Sequence, residues 1–153
     1  MHLKHKELLR VAMESNDSSE VLMISDLSFN SYVTIQGEEF KVSPGENPFA
    51  VSFISHAQDY SLAYLHNHPS TNNFSLGDID TFICERAIKM MSVVTNQGEV
   101  YILNKTADYS FQKAKRLLNE IRATFDDEID DKEFVNRFLK NSRKGGIEYV
   151  KGK

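Results

Sequence analysis

Two histidines stand one residue apart at the end of a short apolar run, and this arrangement constrains the chain more than any other feature. Residues 61–65 are mostly apolar, as expected for a buried central strand, and the run stops at His66. Because every second side chain of a strand points the same way, His66 and His68 can reach a common point. Pro69 then turns and stiffens the chain. The sequence therefore predicts a buried strand that presents two imidazoles to one ligand.

A serine and an aspartate at the start of the next helix complete the set. Ser75 and Asp78 open this helix, which brings Asp78 back toward His66 and His68. Two neutral imidazoles and one carboxylate match a catalytic Zn2+ site, which keeps its fourth position open for water. The Ser-x-x-Asp spacing is also a helix-capping arrangement, and both roles are compatible because a cap holds its own residues rigid. We therefore predict metal binding by His66, His68 and Asp78.

Hydrophobic patterning along the rest of the chain alternates between helical and strand periods, with turn signals between them. Helices are expected near residues 3–14, 48–54, 75–89, 111–125 and 134–139. Strands are expected at 21–24, 32–35, 40–42, 61–65, 93–94 and 100–103, and a short tail at 147–150. The expected fold is a single mixed-sheet α/β domain over residues 1–153, with a helical C-terminal extension.

Length and composition narrow the class of protein. A chain of 153 residues is one ordinary domain that can bury a sizeable core. Its net charge of -4, with both signs interspersed, gives no indication of nucleic-acid binding. The single cysteine, Cys84, excludes an internal disulfide and favours a reducing compartment. No apolar run after Met1 is typical of a signal peptide, and none approaches the roughly 20 residues of a membrane helix. We expect a soluble, cytoplasmic protein of undetermined oligomeric state.

The same residues carry a resemblance to a known family. His66-x-His68-Pro69 followed by Ser75-x-x-Asp78 resembles the signature of JAMM/MPN zinc metallopeptidases, and residues 66–70 are similar to the RadC-like and phage or effector JAB branches. The resemblance implies a cytidine-deaminase-like JAB/MPN core over about residues 18–105, which leaves about 108–153 as the extension. The loop between His68 and Ser75 has six residues, one fewer than is usual in the family, which bears on the reach of Ser75.

The family resemblance also implies a chemistry. It predicts a zinc-dependent metallo-hydrolase that cleaves a peptide or isopeptide bond, with a protein or peptide substrate and ubiquitin-like proteins among the candidates. Ser75 would donate a hydrogen bond to the developing oxyanion. A glutamate near the first core strand would act as general base, and Glu20 is our candidate. Glu38 and Glu39 remain alternatives, on a predicted hairpin that could also face the site.

Other functions fit the motif less completely. A RadC-like or phage/effector-associated zinc module with little or no peptidase turnover is the main alternative. A non-catalytic MPN scaffold is disfavoured, because a scaffold has no physical need for a complete set of zinc ligands. HNH nucleases are disfavoured too. Their three named residues are dispersed over a ββα unit, whereas His66, Asn67 and His68 follow one another directly in this chain.

Overall fold

The computed structural model describes residues 1–15, 19–37, 44–125, 128 and 130–152. These residues form one six-stranded sheet, five α-helices and short 3-10 helices at Pro44–Glu46 and Ser142–Gly145. The α-helices are α1 (His2–Ser15), α2 (Pro48–Ser55), α3 (Leu76–Cys84), α4 (Phe111–Ala123) and α5 (Asp131–Asn141). The strands are β1 (Val21–Asp26), β2 (Tyr32–Gln36), β3 (Leu62–His68), β4 (Ile88–Thr95), β5 (Val100–Lys105) and β6 (Ile147–Gly152).

The sheet is mixed, with the strand order β2-β1-β3-β4-β5-β6. β3 and β4 run parallel, and the other neighbouring strands run antiparallel. A parallel pair needs a crossover connection, which α3 supplies between β3 and β4. The predicted α/β class with a single mixed sheet is therefore confirmed.

Both faces of the sheet are covered, which explains why all seven positions of β3 are buried. On one face, Leu8 and Ala12 of α1 lie in a cluster with Met23 and Leu65. On the other face, apolar residues of α3, α4 and α5 form a larger cluster that includes Tyr64 of β3. The even-numbered side chains of β3 therefore face α3, and the odd-numbered ones face α1.

Two of the predicted boundaries were wrong. β3 does not stop at His66 but continues to His68, so both histidines are strand residues. The helix predicted to reach about Lys89 ends at Cys84, where the cap residue Glu85 is already extended. Ile88 begins β4 instead, because its apolar run pairs in parallel with β3. Parallel pairing with a distant strand decides this segment, and helical periodicity alone could not reveal it.

The C-terminal segment contributes more than helices. Residues 147–150, predicted as a short tail, belong to strand β6, in which Ile147 pairs with Lys105 of β5. Gly146 makes the turn into β6 with a φ of 74°. A Cβ at this position would lie 2.5 Å from backbone atoms of Tyr109, so only glycine fits. The division into a core and a C-terminal extension stays a prediction. Apolar residues of α4 and α5 pack in the same hydrophobic cluster as residues of the sheet.

Some expectations lie beyond what the structure describes. The strand predicted at residues 40–42 falls outside the described residues.

In the described part of the chain, none of the helices is long and apolar enough to cross a lipid bilayer.

Candidate metal centre

The two histidines lie at the carboxyl end of β3, in the middle of the sheet. His66 pairs with Leu22 of β1 on one side and with Val93 of β4 on the other. Both imidazoles are buried, and their ring centroids are 4.9 Å apart with the planes inclined at 68°. The alternation of β3 places both rings on the face that α3 covers, as the spacing of His66 and His68 predicts.

Asp78 is held against these rings by the N-terminal cap of α3. The Ser75 hydroxyl oxygen accepts a hydrogen bond from the backbone N–H of Asp78 at 3.1 Å. The carboxylate Oδ2 of Asp78 accepts one from the backbone N–H of Ser75 at 2.7 Å. This reciprocal capping box confirms the predicted capping arrangement and fixes the direction of the carboxylate.

The three side chains converge on one point. Oδ1 of Asp78 lies 3.1 Å from Nε2 of His66, and Oδ2 lies 3.4 Å from Nε2 of His68. One potential ligand atom from each residue lies within 4.8 Å of the other two. His66, His68 and Asp78 could therefore hold a metal ion, as the sequence predicts.

Nε2 of His66 shows that the residues fit such an ion. This atom is buried and has no hydrogen-bond partner among the described residues. Oδ1 of Asp78 is close, but the relative orientation of the two groups is not that of a hydrogen bond. A buried polar atom without a partner costs free energy and requires an explanation. A shared cation would satisfy both groups at once, because a carboxylate oxygen and a deprotonated imidazole nitrogen can both donate a lone pair to it.

His68 is oriented by a second contact on its far side. Its Nδ1 lies 3.0 Å from the carbonyl oxygen of Asn72, in the loop between β3 and α3. A carbonyl can only accept, so Nδ1 carries the proton. Nε2, the atom that faces Asp78, is then the nitrogen that would bind an ion when the ring is neutral. Ligand histidines in metal sites are commonly oriented by such a contact.

The charges of the three groups stabilise one another in the absence of an ion. Burial alone would raise the pKa of Asp78, but His66 and His68 outweigh it and hold that pKa well below its ordinary value. Burial alone would lower the pKa of His68, but its hydrogen bond to Asp78 and the charge of that carboxylate raise it. Metal binding must therefore displace a proton from this cluster, so acid should weaken it.

Glu20 lies beside the cluster, at the residue before β1 begins. Its Oε1 is 3.9 Å from Nε2 of His68, and its side chain is largely buried. Leu22, two residues later, belongs to the cluster on the α3 face, so strand alternation directs Glu20 toward the histidines. Burial raises the pKa of Glu20, and the nearby charge of Asp78 adds to this effect, while both histidines oppose it.

The structure does not test the two alternative general bases. Glu38 and Glu39 lie outside the described residues. The structure thus brings together four of the predicted site residues, His66, His68, Asp78 and Glu20, with Ser75 in the cap that holds Asp78.

Asn67 is the residue that sequence reasoning missed. Its side chain is fully buried on the opposite face of β3, and its Oδ1 accepts a hydrogen bond from the backbone N–H of Val21 at 2.7 Å. Its Nδ2 donates to the carbonyl oxygen of Ser19 at 3.2 Å. These two contacts flank Glu20 and tie it to the metal-ligand strand. The available signal was an amide between two predicted metal ligands, just past a strand predicted to be buried, because a buried amide needs partners.

Comparisons with known proteins identify no relatives. No family model matches the chain, and no curated protein or solved structure is significantly similar to it. The relationship to JAMM/MPN metallopeptidases therefore stays a prediction from the motif residues.

Proposed function

We propose that this protein is a zinc-dependent metallo-hydrolase of the JAMM/MPN type, which cleaves a peptide or isopeptide bond with a metal-activated water. The observation that carries the proposal is the convergence of the side chains of His66, His68 and Asp78, with Nε2 of His66 buried and outside any hydrogen bond among the described residues. The buried carboxylate of Glu20 close to this cluster adds a group suited to proton transfer. A buried acid with a raised pKa beside a metal site is typical of a functional centre.

The donor set favours zinc over other cations. Imidazole nitrogen suits zinc, whereas magnesium and calcium prefer sites made entirely of oxygen ligands. Three protein ligands are also the usual number at a catalytic zinc, since the remaining position is kept for water or substrate. When bound, the zinc ion supplies Lewis-acid chemistry, which lowers the pKa of a water molecule and polarises the substrate carbonyl.

The surrounding side chains account for the remaining steps. Glu20 accepts a proton from the attacking water and delivers it to the leaving amine, a role that its position 3.9 Å from Nε2 of His68 allows. The Ser75 hydroxyl accepts one hydrogen bond from the helix and keeps its own hydrogen for donation. That hydrogen is available to a developing oxyanion, as the family resemblance implies.

The same proposal extends to the type of fold, the substrate and the cellular compartment. The sheet belongs to the cytidine-deaminase-like JAB/MPN type, and the substrate is a protein or peptide, with ubiquitin-like proteins among the candidates. The protein acts in the cytoplasm, where its single cysteine stays reduced.

Metal analysis followed by a peptidase assay tests the proposal. The purified protein is loaded with zinc and incubated with a peptide library and with isopeptide-linked ubiquitin-like conjugates. Mass spectrometry then detects new amino termini and released lysine side chains. We expect cleavage by the zinc-loaded protein and none by the Glu20→Gln variant or the metal-stripped protein. Zinc binding without any cleavage would instead favour the RadC-like or phage-associated binding module.

A further inference from the structure

A cavity of about 320 Å³ connects the candidate metal centre with the C-terminal helix α5. Glu20 and His68 line it within the centre, and Lys132, Val135 and Asn136 line it from α5. The loop between β3 and α3 supplies the rest of the lining. α5 packs against α3 and α4, so the core fixes its place relative to the site.

Part of the wall of this cavity is apolar, between the polar loop after β3 and the exposed side of α5. Phe74, Leu76 and Val135 are among its lining residues, and Phe74 and Val135 are both buried in the larger core cluster. Their positions are therefore set by packing rather than by an occupant. At the solvent side, Asp131 and Lys132 are adjacent, exposed and opposite in charge. The part of the cavity formed by α5 thus carries no net charge.

We propose that this cavity binds an uncharged, apolar side chain of the substrate residue next to the cleaved bond, and that α5 determines this preference. The inference rests on the proposed function, because the cavity receives a substrate only if the metal centre acts on one. A volume of about 320 Å³ lies at the lower end of the range for ligand sites, so it holds one or two residues of an extended peptide.

Physical chemistry favours an apolar occupant over a charged one. An aliphatic side chain gains free energy when Phe74, Leu76 and Val135 remove its surface from water. A charged side chain loses its hydration on entry, and the wall formed by α5, with one acidic and one basic residue, offers neither sign of charge a net attraction. The cavity therefore favours aliphatic over charged side chains, because only the aliphatic ones gain free energy when they are buried in it.

Amino-acid hydroxamates test the inference without requiring turnover. The hydroxamate group binds zinc, and the attached side chain extends into the neighbouring cavity. Calorimetry on the zinc-loaded protein compares acetohydroxamate with the hydroxamates of glycine, leucine, aspartate and lysine. We expect the leucine compound to bind at least about tenfold more tightly than the glycine compound, the gain expected from burying a leucine side chain. The aspartate and lysine compounds should show no such gain.

Two variants of α5 locate the effect. Asn136→Trp places a large ring in the cavity from an exposed position, so it should abolish the preference for leucine and leave acetohydroxamate binding unchanged. Lys140→Trp makes the same kind of change on the same helix at an exposed position away from the cavity, and should keep the preference. Thermal melts of both variants confirm that α5 is folded.

The outcomes separate this inference from the proposed function. If acetohydroxamate binds but leucine and glycine hydroxamates bind equally, the cavity assignment is overturned while the metal centre stands. A preference for leucine that survives Asn136→Trp would show that α5 does not form the pocket wall. If the protein takes up no zinc and binds no hydroxamate, the proposed function fails and this inference fails with it.

Discussion

The side-chain Oδ1 of Asn67 lies 2.7 Å from the backbone nitrogen of Val21, one residue beyond the last paired positions of β1 and β3. The amide therefore extends the pairing of these strands after the backbone ladder has ended. Because Nδ2 of Asn67 also bonds the carbonyl of Ser19, the backbone on both sides of Glu20 is anchored to the strand of the metal ligands. The position of Glu20 therefore depends on Asn67, which is not among the candidate metal ligands.

Asn67→Ala should reduce activity by displacing Glu20. The change leaves the buried N–H of Val21 and the carbonyl of Ser19 without their side-chain partner, at a cost of about 1–3 kcal/mol in the free energy of unfolding. We expect kcat to fall while zinc content and KM change little. Ser92→Ala is the matched control, because it removes a buried hydrogen bond on β4 that involves His5 rather than the centre. Equal kcat values for the two variants would assign Asn67 a purely structural role.

Removal of the two imidazoles should abolish metal binding. The wild-type protein should contain about one zinc ion per chain, as expected for a single site with three protein ligands. The double variant His66→Ala/His68→Ala leaves only the carboxylate of Asp78, so elemental analysis should find no stoichiometric zinc. His56→Ala serves as the control, because this histidine lies on the surface after α2. Full zinc content in the double variant would refute the assignment of the ligands.

Glu20→Gln should separate metal binding from catalysis. The amide has nearly the shape of the carboxylate but cannot accept the proton, so zinc content and the melting temperature should be preserved. We expect kcat to fall by about 10²-fold or more, the usual contribution of a general base. The assignment is wrong if Glu20→Gln keeps wild-type activity and Glu38→Gln or Glu39→Gln loses it.

Ser75 combines a capping role, which the structure shows, with a catalytic role, which is proposed. Ser75→Ala should cost about 1 kcal/mol of stability through the lost cap. It should also lower kcat by roughly 10²-fold if the hydroxyl stabilises the oxyanion.

Ser75→Asp distinguishes the two roles. It keeps a capping oxygen but places a negative charge where the oxyanion develops, so it should restore stability and not turnover. Thermal melts and steady-state kinetics on Ser75→Ala and Ser75→Asp measure both quantities. An active Ser75→Asp enzyme would reduce Ser75 to a helix cap, with the short loop before it as the physical reason.

His5 should make the protein sensitive to acid. Its Nε2 lies 2.7 Å from the hydroxyl of Ser92 in the packed interface between α1 and β4. Burial, together with the positive charges of the N-terminus and His2, lowers the pKa of His5 from 6.5 to about 4. Between these values the unfolded chain binds a proton that the folded protein does not. Stability is therefore fully present above about pH 6.5 and is lost as the pH falls toward 4.

The size of this effect follows from the pKa shift of His5. His5 should contribute a loss of about 2 kcal/mol in the free energy of unfolding between about pH 7.5 and about pH 5. Denaturant titrations of the wild type and of His5→Gln at both pH values measure this loss by difference, since the raised pKa of His68 acts in the opposite direction. His5→Gln should flatten the dependence, whereas His2→Gln, at an exposed position of the same helix, should keep it. A wild-type slope that persists in His5→Gln would place the acid sensitivity elsewhere in the molecule.

Local signals predicted much of the fold. Helical spacing located α1, α4 and α5, and Pro48 marked the start of α2. The prediction failed where long-range pairing decided the outcome. Residues 147–150 include three strand-favouring residues, but the segment is short and was predicted only as a tail; it forms β6 because the edge of β5 offers unpaired backbone groups.

The sequence by itself located the candidate metal ligands, because their chemistry and their spacing are local. His66 and His68 share a face through the alternation of one strand, and Ser75 caps the helix that carries Asp78. Only the tertiary structure decided what surrounds them. Glu20 and α5 are far from the histidines in the chain, and they reach the centre because β1 pairs with β3 and the core holds α5 against α3. Such contacts depend on packing between distant segments, and no short stretch of sequence encodes them.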